Sequence, residues 1–463
     1  MAYRASGDDA ARYPSAGLAW YALICLLLCY FMYFVDRNIL TLLVAPVRRD
    51  LGINDSQMGV LNGYSFSVLN GLMAIPFGWY ADRRTRKGVL VFGIALWGCS
   101  TIASGFTTTF TQLVFTRMGL GVGEAALAPA AFSLISDYFP KSRRGTAVGI
   151  YGIGGFGGIG LSYIIGGMVL AAFRGVDTVT LPVIGETTLW HAAFIIVGLI
   201  TLLLALLMTS VREPPRVGSL EQSAAAGAET FFGHLRKHGL AFWLVIAGYT
   251  CLGILAIGWF AWLPTYFIRV FRMAPVSAGI EVGLVNTVAG VTGAVVGGYV
   301  ADWMMRRGVR GGKLPTLIIM FLAWIPCALG ILLSESPTIS LIFVFIFTFA
   351  DGIGFMQYGN VMQEMFPAHL RARSIAAWGL CSSAIAYGIG PLLFGASSDF
   401  VFHGDLGLRY TLGLVSLPIV VIGLTCAWCA RRPYDRARYA VDPSLTIDAE
   451  WLAPGPVAVP AKP

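Results

Sequence analysis

Charged side chains are scarce in this chain. Asp, Glu, Lys and Arg make up 12% of its 463 residues, against about a quarter in a typical soluble domain. The deficit runs over the whole length, which excludes a soluble domain with a single anchor. Histidine is rarer still. His191, His234, His238, His369 and His403 fall at the edges of apolar runs or between them, and no HExxH motif occurs. An intramembrane hydrolase built on a metal or a nucleophile–base pair is therefore not indicated. The eight cysteines include one lone CxxC, Cys426 and Cys429, which without a second pair points to neither zinc nor redox chemistry. The stretch GIGGFG (152–157) has the dinucleotide-binding spacing, but it lies inside an apolar run with no strand before it, so helix packing or a hinge is expected. Neither catalysis nor a cofactor or metal is expected. No cleavable leader is read at the start, because the first apolar run is too long and contains Asp36 and Arg37.

Long apolar runs are plentiful. Hydrophobic residues make up 57% of the chain, and a membrane span needs roughly 20 predominantly apolar residues. Twelve runs meet that length, near 18–44, 56–81, 88–107, 111–139, 145–173, 190–211, 240–270, 276–303, 314–334, 337–366, 372–400 and 408–430. The net charge of +8 does not indicate nucleic acid, because the position of the basic residues accounts for it. With a cytoplasmic N-terminus, 24 of the 32 Lys and Arg residues lie in cytoplasmic segments, six in outer loops, and two, Arg37 and Arg117, inside spans. That bias is the positive-inside pattern and places both termini in the cytoplasm. An all-α, multi-pass membrane protein in a bacterial inner or plasma membrane is expected.

The chain divides in two. The longest internal polar break, 212–239, begins REPPRVGS and reads as a linker. It separates six spans (18–211) from six more (240–431), with polar tails at 1–17 and 432–463. The halves repeat one another. GWYADRR, ending the second span, matches GGYVADW, ending the eighth, and aligns Asp82 with Asp302. SDYFP, ending the fourth, matches QEMFP, ending the tenth, and aligns Asp137 with Glu364. Two like-oriented six-span repeats are a transporter architecture, with the substrate site between them near midplane.

The turn GWYADRRTRK (78–87) resembles the loop signature of the major facilitator superfamily, and the likeness in spans, linker and doubled motif covers nearly the whole chain. The resemblance implies that Gly78, Asp82, Arg83 and Arg86 gate the cytoplasmic mouth, with Arg144 as a partner of Asp82. Asp302 and Arg373 are the gating residues of the second half, a weaker copy because Trp303 stands where an Arg is usual. Gly78 is expected to let two helices approach closely. YFVDRNIL, LGINDSQMGVL and RMGLGVGEAALAPAAFSLISDYFP together resemble the spinster branch of that superfamily. That likeness implies an amphipathic lipid substrate, lysophospholipid or sphingosine phosphate, and proton coupling.

A charge at the bilayer centre costs roughly 2.5–3.5 kcal/mol on insertion scales, so Asp36, Arg37, Arg117 and Glu124 each need a reason. At about 1.5 Å per residue, Asp36 lies about 12 Å from the outer end of its span, Arg117 about 9 Å and Glu124 about 20 Å. Asp36 is accordingly expected to face Arg117 and the cavity, with Arg37, about 100° around the helix, toward a neighbouring span. Gly119, Gly121 and Gly123 separate Arg117 from Glu124 and permit close helix approach. Asp36, Arg117 and Glu124 form the expected proton-coupling set. In the second half Asp351 and Glu281 are the exceptional charges. Trp259, Trp262, Tyr266 and Tyr358 are expected to wall an apolar chamber, with Arg37, Gln357 and Asn360 as polar contacts. The function expected is proton-coupled transport of an amphipathic lipid by a monomer. Transport of small organic anions or drugs is the alternative within the fold, and a membrane-embedded enzyme the alternative outside it.

Overall fold

A span in lipid must satisfy its backbone groups internally, so long apolar runs become helices. In a computed structural model of the chain, twelve helices among the described residues are long and apolar enough to cross a membrane. They are α1 (Ala16–Leu42), α2 (Asp55–Ala81), α3 (Arg86–Ser104), α4 (Phe110–Tyr138), α5 (Arg143–Ala171), α6 (Leu189–Thr209), α7 (Phe231–Val270), α8 (Pro275–Met305), α9 (Pro315–Leu333), α10 (Pro337–Met365), α11 (Arg373–Phe400) and α12 (Gly407–Val441). The structure describes residues 13–172, 178–181, 185–215, 230–307, 309–355, 357–367, 370–443, 445 and 451.

Within the first half, α1 packs on α5 and α6, α3 on α4 and α6, and α2 on α4; within the second, α7 packs on α11 and α12, and α10 on α8 and α9. The halves meet along two seams, α5 against α8 and α2 against α11. Small residues make the first seam close. A methyl on Gly283 would stand 2.6 Å from the Gly160 carbonyl oxygen, the packing that small residues permit between membrane helices.

Three departures from straight helices matter for the site. The α-helical run of α4 breaks after Glu124 and resumes at Leu127. Pro129 explains this, since it cannot donate to the Ala125 carbonyl and its ring crowds that group. α2 has a π-type turn at Val60–Tyr64, and α11 one at Ser382–Tyr387. Such turns insert an extra residue and re-aim the side chains that follow.

Several boundaries differ from the apolar runs. α7 begins at Phe231 within the expected linker and kinks at His238, with Thr230 Oγ1 capping the Gly233 N–H at 3.1 Å. α12 continues to Val441, where Arg438 pairs with Asp435 at 2.9 Å one turn back. Between α5 and α6 lies a hairpin of two antiparallel strands, β1 (Thr178–Leu181) and β2 (Gly185–Thr188), with Thr178 opposite Thr188. A short helix, Val44–Leu51, leads from α1 to α2, and Asn54 and Gln57 form a capping box at the start of α2.

Candidate functional site

A cavity of about 250 Å³ lies between the halves. The first half contributes Tyr33, Phe34 and Arg37 from α1, Asn70 from α2 and Phe156 from α5. The other half contributes Tyr249 and Phe260 from α7, Asp351 and Tyr358 from α10, and Trp378 and Tyr387 from α11. The lining is aromatic and aliphatic except for Arg37, Asn70 and Asp351. Tyr358 and Trp378 stack with ring centres 3.7 Å apart.

Arg37 occupies the edge of this cavity. Its Nη2 donates to Glu124 Oε2 at 2.6 Å, and both side chains are buried. Its guanidinium lies 4.3 Å from the ring centres of Tyr33 and Phe66 and 4.7 Å from that of Tyr387. Three aromatic faces thus surround one cation, an arrangement that strengthens as water is excluded. Two of the faces come from the first half and Tyr387 from the second.

Asp36 turns the other way, correcting the expectation that it faces the cavity. Its Oδ2 accepts from Trp97 Nε1 and from Thr101 Oγ1, each at 2.5 Å, both on α3. Arg117 reaches only the backbone carbonyl of Asp36, at 3.3 Å, and lies 4.9 Å from the ring centre of Phe194. The cause is angular. Adjacent helical residues diverge by about 100°, so once Arg37 points at Glu124 and the cavity, Asp36 is carried toward α3. Arg37 Nε, Glu124 Oε1, Asp36 Oδ1 and Arg117 Nη2 are buried without a protein hydrogen-bond partner. Two cations and two carboxylates therefore share one direct ion pair, a buried charge set balanced in number but incompletely paired.

Local sequence puts these groups together. A Cβ on Gly121 would overlap the Phe66 carbonyl, and one on Gly123 would stand 2.5 Å from the Trp97 backbone nitrogen. These glycines let α4 lie directly on α2 and α3. They bring Glu124 to Arg37 just where the Pro129 bend begins.

The expected aromatic chamber is different from the one present. Trp259, Trp262 and Tyr266 are fully buried in the core of the second half. Trp259 packs on Trp324 and Phe347 and donates to Ser416 Oγ at 2.9 Å. Trp262 donates to the Pro391 carbonyl at 2.9 Å, and Tyr266 meets Ser340 at 3.0 Å. They are indole and phenol groups that found partners inside the bundle. Gln357 donates to the Gly297 carbonyl at 3.2 Å and accepts from Asn360 at 3.1 Å, a tie between α10 and α8. Of the expected second-half set, Tyr358 lines the cavity.

At the end of the bundle that carries the linker, Arg86 is buried and clamps its own half. It pairs with Asp137, with Glu213 Oε1 at 2.8 Å, and with the Pro214 carbonyl at 2.8 Å. The second half holds a counterpart, Lys313 with Glu364 at 3.4 Å and Arg438 with Glu364 at 3.1 Å. Arg83 lies over Trp79 at 4.2 Å, Arg144 donates to the Ser136 carbonyl at 2.6 Å, and Arg373 is exposed. The side chains of Asp82 and Asp302 lie outside the described residues. Gly78 is not a tight crossing, since a Cβ there would meet only Pro129, at 3.8 Å.

The opposite end carries a latch that the sequence reading missed. Asp55, at the start of α2, accepts from Arg269 of α7 at 2.6 and 2.8 Å, pairs with Arg48 at 2.7 Å and accepts from Ser398 of α11 at 3.3 Å. Asp399 caps α2 through Ser56 N at 2.6 Å and Asp55 N at 3.2 Å, where a carboxylate meets the positive helix end. Thr265 donates to the Thr41 carbonyl at 3.3 Å, and Tyr163 to that of Phe260. The signal available in sequence was the charge at the far ends of α2, α7 and α11.

The Major Facilitator Superfamily model matches residues 26–391. The chain belongs to that superfamily. It is 27% identical over 427 residues to an MFS-type efflux pump of Mycolicibacterium smegmatis, covering 90% of this chain and 94% of the relative. It is 25% identical over 333 residues to a probable L-galactonate transporter of Escherichia coli, covering 68% and 69%. The crystal structure of a bacterial homolog of the human lysosomal transporter Spinster, inward-facing and occupied, superposes with a TM-score of 0.76 at 24% identity, covering 92% of this chain and 99% of that one.

Proposed function

We propose that this chain is a proton-coupled secondary transporter that moves an amphipathic lipid with an anionic head, such as a lysophospholipid, by alternating access. One observation carries the reading: Arg37 borders the cavity and is held by Glu124, a carboxylate buried behind it. Protonating Glu124 leaves the four-charge set at +1 and frees Arg37 for an anionic head. Loss of that proton restores the ion pair and weakens the hold on the head. Arg117 and Asp36 balance the set. The aromatic and aliphatic lining suits the apolar part of such a substrate.

The positive-inside bias supports a cytoplasmic linker end; in that orientation the Asp55 latch closes the outer side and this conformation faces inward. Transport requires that latch to open while the linker end closes around Asp82 and Asp302. The protein acts as a monomer in the plasma membrane. A second reading, transport of a small organic anion, is supported by the likeness to the galactonate transporter and shares Arg37. The aromatic walls favour the amphiphile. The test is uptake of a lysophospholipid panel and a sugar acid by proteoliposomes, with and without a pH gradient. Transport of the sugar acid alone would overturn the lipid reading.

A further inference from the structure

The cavity has a second charged group on the opposite half. Asp351 sits midway along α10, is 4% exposed and lines the same cavity as Arg37. No hydrogen bond or ion pair joins it to any of the described residues, unlike Glu124. A carboxylate buried in apolar surroundings without a partner is costly. The same cavity is lined by aromatic residues: the stacked Tyr358 and Trp378, with Tyr249 and Phe260 from α7. A carboxylate and several aromatic rings lining one cavity are the chemistry that recognises an organic ammonium, by charge and by cation–π attraction. A sugar acid brings no positive group to such a site.

We propose that Asp351 is a specificity residue that binds an ammonium group of the substrate, so that the first half holds the anionic part of a zwitterionic head through Arg37 and the second half holds its cationic part. Each half then grips one end of the same head group. This rests on the amphiphile reading above.

The test compares two lysolipids of equal chain length binding to the full-length protein in detergent. Lysophosphatidylethanolamine carries the ammonium and lysophosphatidylglycerol lacks it. The wild type is expected to prefer the ethanolamine head by about tenfold or more, the worth of a charged hydrogen bond. Asp351→Asn is expected to lose that preference while binding the glycerol head as before. Asp351→Glu, which keeps the charge, is expected to retain the preference, and this guards against a simple folding defect in the Asn variant. Equal binding of both heads by the wild type overturns the inference and leaves the amphiphile reading standing. So does an Asp351→Asn variant that keeps the preference. Binding of neither lipid by the wild type overturns both.

Discussion

Arg37 joins three things at once: it donates to Glu124 at 2.6 Å, lies 4.7 Å from the ring centre of Tyr387 in the other half, and borders the cavity. A substrate charge, a carboxylate and the interface between the halves therefore meet at one guanidinium. Removing either member of a buried pair leaves the other uncompensated, at about 3–5 kcal/mol. Arg37→Ala is expected to destabilise the detergent-solubilised protein by that order, and Arg37→Ala/Glu124→Ala to recover much of it. Thermal unfolding of the two single variants and the double variant measures the coupling; additive losses would mean that the pair is not formed.

Asp36 is expected to matter less for coupling than Glu124, because its carboxylate is held by Trp97 and Thr101 inside the first half. Trp97→Phe removes one hydrogen bond to a charged group and should cost about 1.5–3 kcal/mol of stability. Asp36→Asn should slow uptake driven by a pH gradient without abolishing it. An Asp36→Asn variant as inactive as Glu124→Gln would move the proton site to α1.

The aromatic residues separate into two groups with different expected phenotypes. Trp259→Ala empties a packed core position and should cost about 3–5 kcal/mol of stability, with little change in KM for the protein that folds. Tyr358→Ala should leave the unfolding temperature nearly unchanged and raise KM several-fold, because its ring faces the cavity. Uptake kinetics and thermal unfolding on the same preparations distinguish the two; a KM effect of Trp259→Ala equal to that of Tyr358→Ala would contradict the placement.

Asp55→Ala deletes the acceptor shared by Arg48, Arg269 and Ser398. The far end should then open more often. A cysteine in place of Thr265, which lies under the latch, is expected to react about tenfold faster with an impermeant thiol reagent, the ratio given by about 1.4 kcal/mol. Unchanged labelling would show that the latch does not hold the halves together.

The architecture was legible because span length is dictated by the bilayer and repeats survive as paired landmarks: Asp137 and Glu364 occupy matching places with Arg86 and Lys313 as their cations. The presence of charges in α1 and α4 was equally visible. Which of the adjacent pair Asp36 and Arg37 faces the cavity was not, because axial depth says nothing about rotation around the helix. Tyr387 was hidden for a related reason: it ends a π-type turn that shifts the facing of α11, and hydrophobic spacing does not register such a turn. Trp259, Trp262 and Tyr266 looked like a chamber wall because aromatic content marks cores and cavities alike.

The most direct test is uptake of a lysophospholipid by proteoliposomes carrying Glu124→Gln, with and without an imposed pH gradient. Gln keeps the shape of the side chain but holds no negative charge at any pH. The expected result is that downhill exchange persists while the pH gradient no longer raises uptake above the level without it. Acceleration by the gradient equal to that of the wild type would contradict a coupling proton on Glu124.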